Sequence, residues 1–224
     1  MGSVLLYPIC GCSFDCRQKQ ERNEYKLVNP FNQHDSEPDE ALICRFQSGD
    51  AKAFDRLVLR YQAMVLRVAY KTLQQEDDAK DAAQEIFVKI YRSLAGFKPQ
   101  ARFSTWVYRI TVNQCYNVLR SRRRKRWLAL LQRDAQEAEV QHTPDPQADP
   151  LEEVEKQERI QQVRKALARL PADQRLAMVL HRYEGLSYQE IAEATDSSVA
   201  AVESRLHRGR KKLQRLLSAY MEKI

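Results

Sequence analysis

From Asp39 onward the apolar residues recur every three or four positions, and nowhere do they alternate over a useful length. That period is the signature of helices with one face turned to a core, and it restricts the chain to an all-α fold. Glycine scarcity agrees, with 6 in 224 residues, as does a charged fraction of 30% beside 43% hydrophobic residues. Residues 1–37 lack the pattern. Pro8 and Pro30 interrupt them, Pro38 follows directly, and they read as a disordered leader.

Punctuation along the chain separates the helices. Ala41, Leu42, Cys44 and Phe46 fall in a short first helix that Gly49 ends, and Asp50 caps a long second one. The second carries Phe54, Leu57, Val58, Tyr61, Met64, Val65, Val68 and Leu73. A third is expected to start near Asp77 and Asp78, whose charge suits a helix N-terminus. A loop with Gly96 and Pro99 leads to a fourth, capped by Ser104 and running into a basic tract at 120–126. Cys44 and Cys115 read as small apolar fillers within these helices.

Composition then inverts. Asp134 to Glu158 is rich in Asp, Glu and Gln and holds Pro144, Pro146 and Pro150, so its middle reads as an extended linker. A second helical module follows. Pro171 suits a first helical turn and Gly185 a stop. Ser187-Tyr-Gln-Glu190 has the spacing of a capping box. Thr195-Asp-Ser-Ser198 is a polar turn, and a long basic helix comes after it. Short capped helix, turn and basic helix together describe a helix-turn-helix.

Function classes narrow with the charge. A net charge of +7 suits a polyanionic partner, nucleic acid or an anionic surface. No window approaches the ~18 apolar residues of a membrane span, so no direct membrane insertion is expected. The N-terminus shows no basic leader and no cleavage site, which reads as no signal peptide and a cytoplasmic setting. An enzyme finds little support. His34, His142, His181 and His207 lie in no ligand motif, and no glycine-rich phosphate loop occurs. We assign no catalytic residue, cofactor or resident metal. Cys10, Cys12 and Cys16 leave three readings open: a metal site with His34, an oxidant sensor, or an overlong N-terminus.

Two surfaces carry the chemistry. In the last helix Ser198, Ala200, Ala201, Glu203, Ser204, Arg205, Arg208, Lys211 and Lys212 are the candidates for the major groove and its phosphates. A solvated basic face is the plainer alternative. Upstream, aromatics interleave with cations, a composition suited to unpaired bases stacked on rings with phosphates held beside them. The single-strand candidates are Phe97, Lys98, Gln100, Arg102, Phe103, Tyr108, Arg109, Asn113, Tyr116 and Arg120, while Trp106 reads as core.

Four segments in this order resemble extracytoplasmic-function (ECF) sigma factors of the sigma-70 family. They are Asp78-Ala-Lys-Asp-Ala-Ala-Gln-Glu-Ile-Phe87, Phe103-Ser-Thr-Trp-Val-Tyr-Arg-Ile-Thr-Val-Asn113, Leu170-Pro171 and Glu184-Gly-Leu-Ser-Tyr-Gln-Glu-Ile-Ala192. The resemblance implies two small helical domains joined by a flexible linker. Sigma domain 2 would span residues 38–126, the linker 127–154, and sigma domain 4 with its helix-turn-helix 155–222. It also implies partners: core RNA polymerase, promoter DNA and an anti-sigma factor. Asp78, Asp81, Gln84, Glu85 and Lys89 would face the polymerase, the aromatic segment the melted minus-ten element, and the last helix the minus-thirty-five element. Glu203 departs from the basic or polar residue common in relatives, so no promoter sequence follows. The competing reading is a helix-turn-helix regulator that binds DNA without polymerase.

Overall fold

The computed structural model describes residues 37–98, 102–132 and 150–221. These residues form eight helices and no strand: α1 (Asp39–Gln47), α2 (Ala51–Leu73), α3 (Glu76–Leu94), α4 (Phe103–Gln132), α5 (Pro150–Ala168), α6 (Ala172–Tyr183), α7 (Tyr188–Thr195) and α8 (Val199–Met221). No helix among them is long and apolar enough to cross a membrane. The leader with Cys10, Cys12, Cys16 and His34, and the middle of the linker, lie outside the described residues.

Helices α1–α4 make the first bundle. The α1–α2 corner is set by residues that stop one helix and start the next. Gly49 takes φ +101°, a left-handed conformation costly for other residues. The Asp50 side chain then accepts the Lys52 N–H at 3.0 Å, and Arg45 reaches back to Asp50 at 2.6 Å. Asp39 pairs with Arg60 and Tyr61, tying α1 along α2. Leu42, Leu57, Val65, Val68, Ile86, Ile90, Leu94, Val107 and Val112 fill the interior.

The second bundle wraps α6, α7 and α8 around Leu176, Leu180, Ile191, Val202 and Leu206, all fully buried, with α5 resting on α8. Burial of such side chains contributes roughly 1.5–3 kcal/mol each, the main force holding short helices whose own propensity is marginal.

Helix existence and order follow the periodicity, and several boundaries differ from it. α4 begins at Phe103, so Ser104 lies inside the first turn instead of capping it. The same helix continues past the basic tract to Gln132, because Trp127 to Gln132 contains no breaker. Pro171 is the N-cap of α6 and not its first residue. Cys44 is exposed, since α1 buries only Leu42 and Ile43. Cys115 is buried as expected.

The bundles also touch. α2 packs on α6 and α4 on α7, and one apolar cluster runs unbroken from Leu42 to Leu206. Sequence reading expected two separately tethered bodies. The two bundles meet because they carry matching apolar surfaces.

Candidate nucleic-acid interface

The helix-turn-helix is built by local hydrogen bonds. Ser187 Oγ accepts the Glu190 N–H at 3.2 Å, and Glu190 Oε2 accepts the Ser187 N–H at 2.9 Å. Both halves of the capping box are therefore present, which satisfies donors the helix start leaves orphaned. Asp196 adopts φ +51° and closes α7 in the left-handed region, where Asp is better tolerated than most residues. The Ser197 N–H donates to Ala192 O at 3.0 Å, and Ser198 Oγ accepts the Ala201 N–H at 3.2 Å at the start of α8.

Just before α8 the structure exposes Ser198, and on α8 it exposes Ala200, Glu203, Ser204, Arg208 and Lys211 and half-buries Ala201 and Lys212. Small residues at the N-terminal end leave room for close approach to a groove floor, while Arg208 and Lys211 stand ready for phosphates. Arg205 is already engaged. Its Nη1 donates to Ser197 Oγ at 3.0 Å and its Nε lies 3.8 Å from Asp173 of α6, so it braces the turn between the helices. Arg210 likewise donates to the Tyr188 hydroxyl at 2.9 Å.

The single-strand candidates divide. Phe97, Phe103 and Trp106 form one aromatic cluster with centroids 4.8–5.5 Å apart, and Phe103 is 4% exposed. Phe103 is thus a core residue here, and Phe97 is half-buried. Lys98 and Arg102 flank the cluster in solvent, and Gln100 lies outside the described residues. Arg109, Asn113 and Arg120 are exposed along α4 at helical spacing. Tyr108 and Tyr116 are half-buried. Burial raises the Tyr108 phenol above its ordinary range, and the nearby Glu184 charge pushes the same way.

On α3, Asp81, Gln84 and Glu85 are exposed on one polar face. The other two candidates are tied to α4: Asp78 pairs with Arg122, and the Lys89 amine donates to Gln114 Oε1. Periodicity carried no signal for these ties. The same holds for a set of guanidiniums at the end of α2. Arg175 of α6 donates to Thr72 O at 2.8 Å, Arg122 of α4 to Leu73 O at 2.9 Å, and Arg164 of α5 to Gln74 O at 3.4 Å. Cations placed there answer the negative end of the helix. Burial lowers the pKa of Arg122 and Arg175.

Comparison with known proteins bears on these surfaces. Residues 57–125 match the family described as Sigma-70 region 2, and residues 160–213 match Sigma-70, region 4. The chain is 36% identical to the RNA polymerase sigma-H factor of Pseudomonas aeruginosa over 182 residues, 81% of this chain and 94% of that one. It is 37% identical to the ECF RNA polymerase sigma-E factor of Haemophilus influenzae over 185 residues, 82% of this chain and 97% of that one. Among solved structures it is similar to CnrH in complex with the cytosolic domain of CnrY, with 29% identity and a TM-score of 0.58 over 82% of this chain and 99% of that one. It is also similar to the sigma factor RpoE in complex with the anti-sigma factor NepR from Bartonella quintana, with 26% identity and a TM-score of 0.59 over 75% of this chain and 98% of that one. With a region 2 bundle, a region 4 helix-turn-helix and relatives that match along most of its length, the chain belongs to the sigma-70 family as an RNA polymerase sigma factor of the ECF subfamily.

Proposed function

We propose that this sigma factor works in the cytoplasm, binds core RNA polymerase through the exposed α3 face around Asp81, Gln84 and Glu85, and serves an envelope or stress response. It has no catalytic step of its own. The functional modules are residues 38–126 and 155–222, with the segment 127–154 as the strap between them. Domain 4 reads the minus-thirty-five duplex with Ser198, Ala200, Ala201, Glu203 and Ser204, while Arg208, Lys211 and Lys212 hold phosphates. Domain 2 engages the melted minus-ten strand with Tyr108, Arg109, Asn113, Tyr116 and Arg120, aided by Lys98 and Arg102. Unstacking a promoter base costs a few kcal/mol, offset by the contacts it then makes.

The observation that carries the reading is the fully capped helix-turn-helix with its basic α8, on the same chain as a region 2 bundle whose α4 presents a line of cations. A polymerase-independent regulator would leave that second bundle without a task. An anti-sigma factor is a further expected partner. The solved relative RpoE was captured with one, which supports the expectation.

Run-off transcription tests the proposal. Core enzyme plus this chain should start transcripts at defined sites in genomic templates, and core enzyme alone should not. Failure to form a complex with core, or transcripts without a shared upstream motif, would overturn it.

A further inference from the structure

One residue on the outward side of α8 carries a negative charge among cations. Ala200, Glu203, Ser204 and His207 recur at helical spacing and all are exposed, opposite the buried Val202, Leu206 and Gly209. Arg208 and Lys211 continue that side with positive charge. A carboxylate set among them repels the phosphates that those cations attract.

Helix chemistry does not account for its place. Glu203 lies beyond the first turn of α8, where an acid would answer the helix dipole. Its neighbours three and four positions away are Val199, Ala200, Leu206 and His207, so no lysine or arginine stands one turn from it. Nor does it orient a nearby arginine. Arg205 turns to Ser197 and Asp173, Arg208 Nε donates to Ser204 O at 3.2 Å, and Arg210 donates to the Tyr188 hydroxyl. Among the described residues no cation pairs with Glu203.

We infer, on the reading of α8 as the minus-thirty-five helix, that Glu203 is a specificity residue selecting cytosine at one position of the duplex. A carboxylate can only accept. In the major groove the donors are cytosine N4 and adenine N6, whereas guanine N7 and O6, adenine N7 and thymine O4 all accept and repel it. The adenine amine lies between its own N7 and the O4 of the paired thymine, so a carboxylate meets lone pairs on both sides. The cytosine amine has guanine O6 on one side and a C5–H on the other, which leaves room for the second carboxylate oxygen. Ala200, one turn earlier, lets the backbone come close enough for a side chain of this length to reach a base edge.

Promoter selection with the assembled enzyme tests this. Core polymerase plus the full chain is offered a promoter that supports run-off, randomised across its upstream element, and the templates it retains are sequenced. Wild type should favour cytosine over guanine and thymine at one position by on the order of ten-fold. Glu203→Ala should flatten that position and leave the others unchanged. Glu203→Gln, able to donate and accept, should move it toward adenine, and Glu203→Arg should move it toward guanine. His207→Gln should keep the cytosine; flattening by this variant would make the carboxylate a partner of the imidazole and overturn the base contact. Circular dichroism confirms retained helix, as the exposure of both residues leads us to expect. One upstream motif shared unchanged by wild type and all the Glu203 variants would overturn the assignment of cytosine and leave α8 as the reader. No upstream motif from any form would overturn the reading of α8 itself, and this inference with it.

Discussion

Cys115 shows how one side chain's chemistry is decided by what surrounds it. It is 0% exposed and packs with Ala69, Leu73, Ala79 and Ala82 where α2, α3 and α4 meet. Burial pushes its thiol from an ordinary 9.0 up to about 12. The unfolded chain therefore releases that proton first, and folding stability falls as pH climbs from 9 toward 12. Buried Tyr61 and Tyr108 act in the same direction above their ordinary 10.0. Mass-spectrometric mapping with a thiol reagent at neutral pH should find Cys44 labelled and Cys115 untouched until denaturant is added. In alkaline melts, Cys115→Ala should show a shallower loss of stability than wild type. The burial of Cys115 was legible from its helical spacing. The exposure of Cys44 was not, because a nine-residue helix with one buried edge leaves too few positions to define the face.

At the scale of the element, the recognition helix depends on how closely α8 approaches α6. Gly209 is buried, and a Cβ placed there would lie 3.1 Å from Met178 Cγ and 3.7 Å from Gln174 Cβ. Glycine within a helix costs about 1 kcal/mol relative to alanine, so its presence marks the close approach and not local preference. Gly209→Ala should change stability by less than about 1 kcal/mol, since the propensity gain offsets a small shift of the flexible Met178 side chain. Gly209→Leu overpacks the contact and should destabilise the second bundle by about 1–3 kcal/mol. Denaturant midpoints measure both, and equal midpoints for the two variants would contradict the packing account. α4 teaches a related lesson. Its basic tract was plain in the sequence, but its continuation to Gln132 was not, because a run of cations reads equally as a helix end or as a solvated helix.

For the whole molecule, the proposed function predicts that two weak DNA readers on one chain become a strong one only when their separation is held. The free protein should bind duplex promoter DNA weakly. Core polymerase should raise that affinity by on the order of 10²–10⁴ through effective concentration. Affinity should also fall steeply with salt, and Arg208→Ala should reduce the slope of log K against log salt by about one. Anisotropy titrations at several salt concentrations check each expectation. Free protein that bound promoter DNA as tightly as the assembled enzyme would point instead to a regulator acting alone.

The amino-acid order by itself determined the helices, the capped turn and the placement of charge. These depend on interactions within a few residues: an apolar period of 3.6, Ser187 three positions before Glu190, an acid opening a helix and a cation closing one. Only the tertiary structure decided that Phe103 is core, that Arg205 braces a turn, that Asp78 and Lys89 are held by α4, and that Glu184 finds Arg67 and Tyr108. Glu184 stands 117 positions from Arg67. No local pattern encodes such a pairing, because its energy comes from burying a charge between two bodies whose meeting the chain order does not describe.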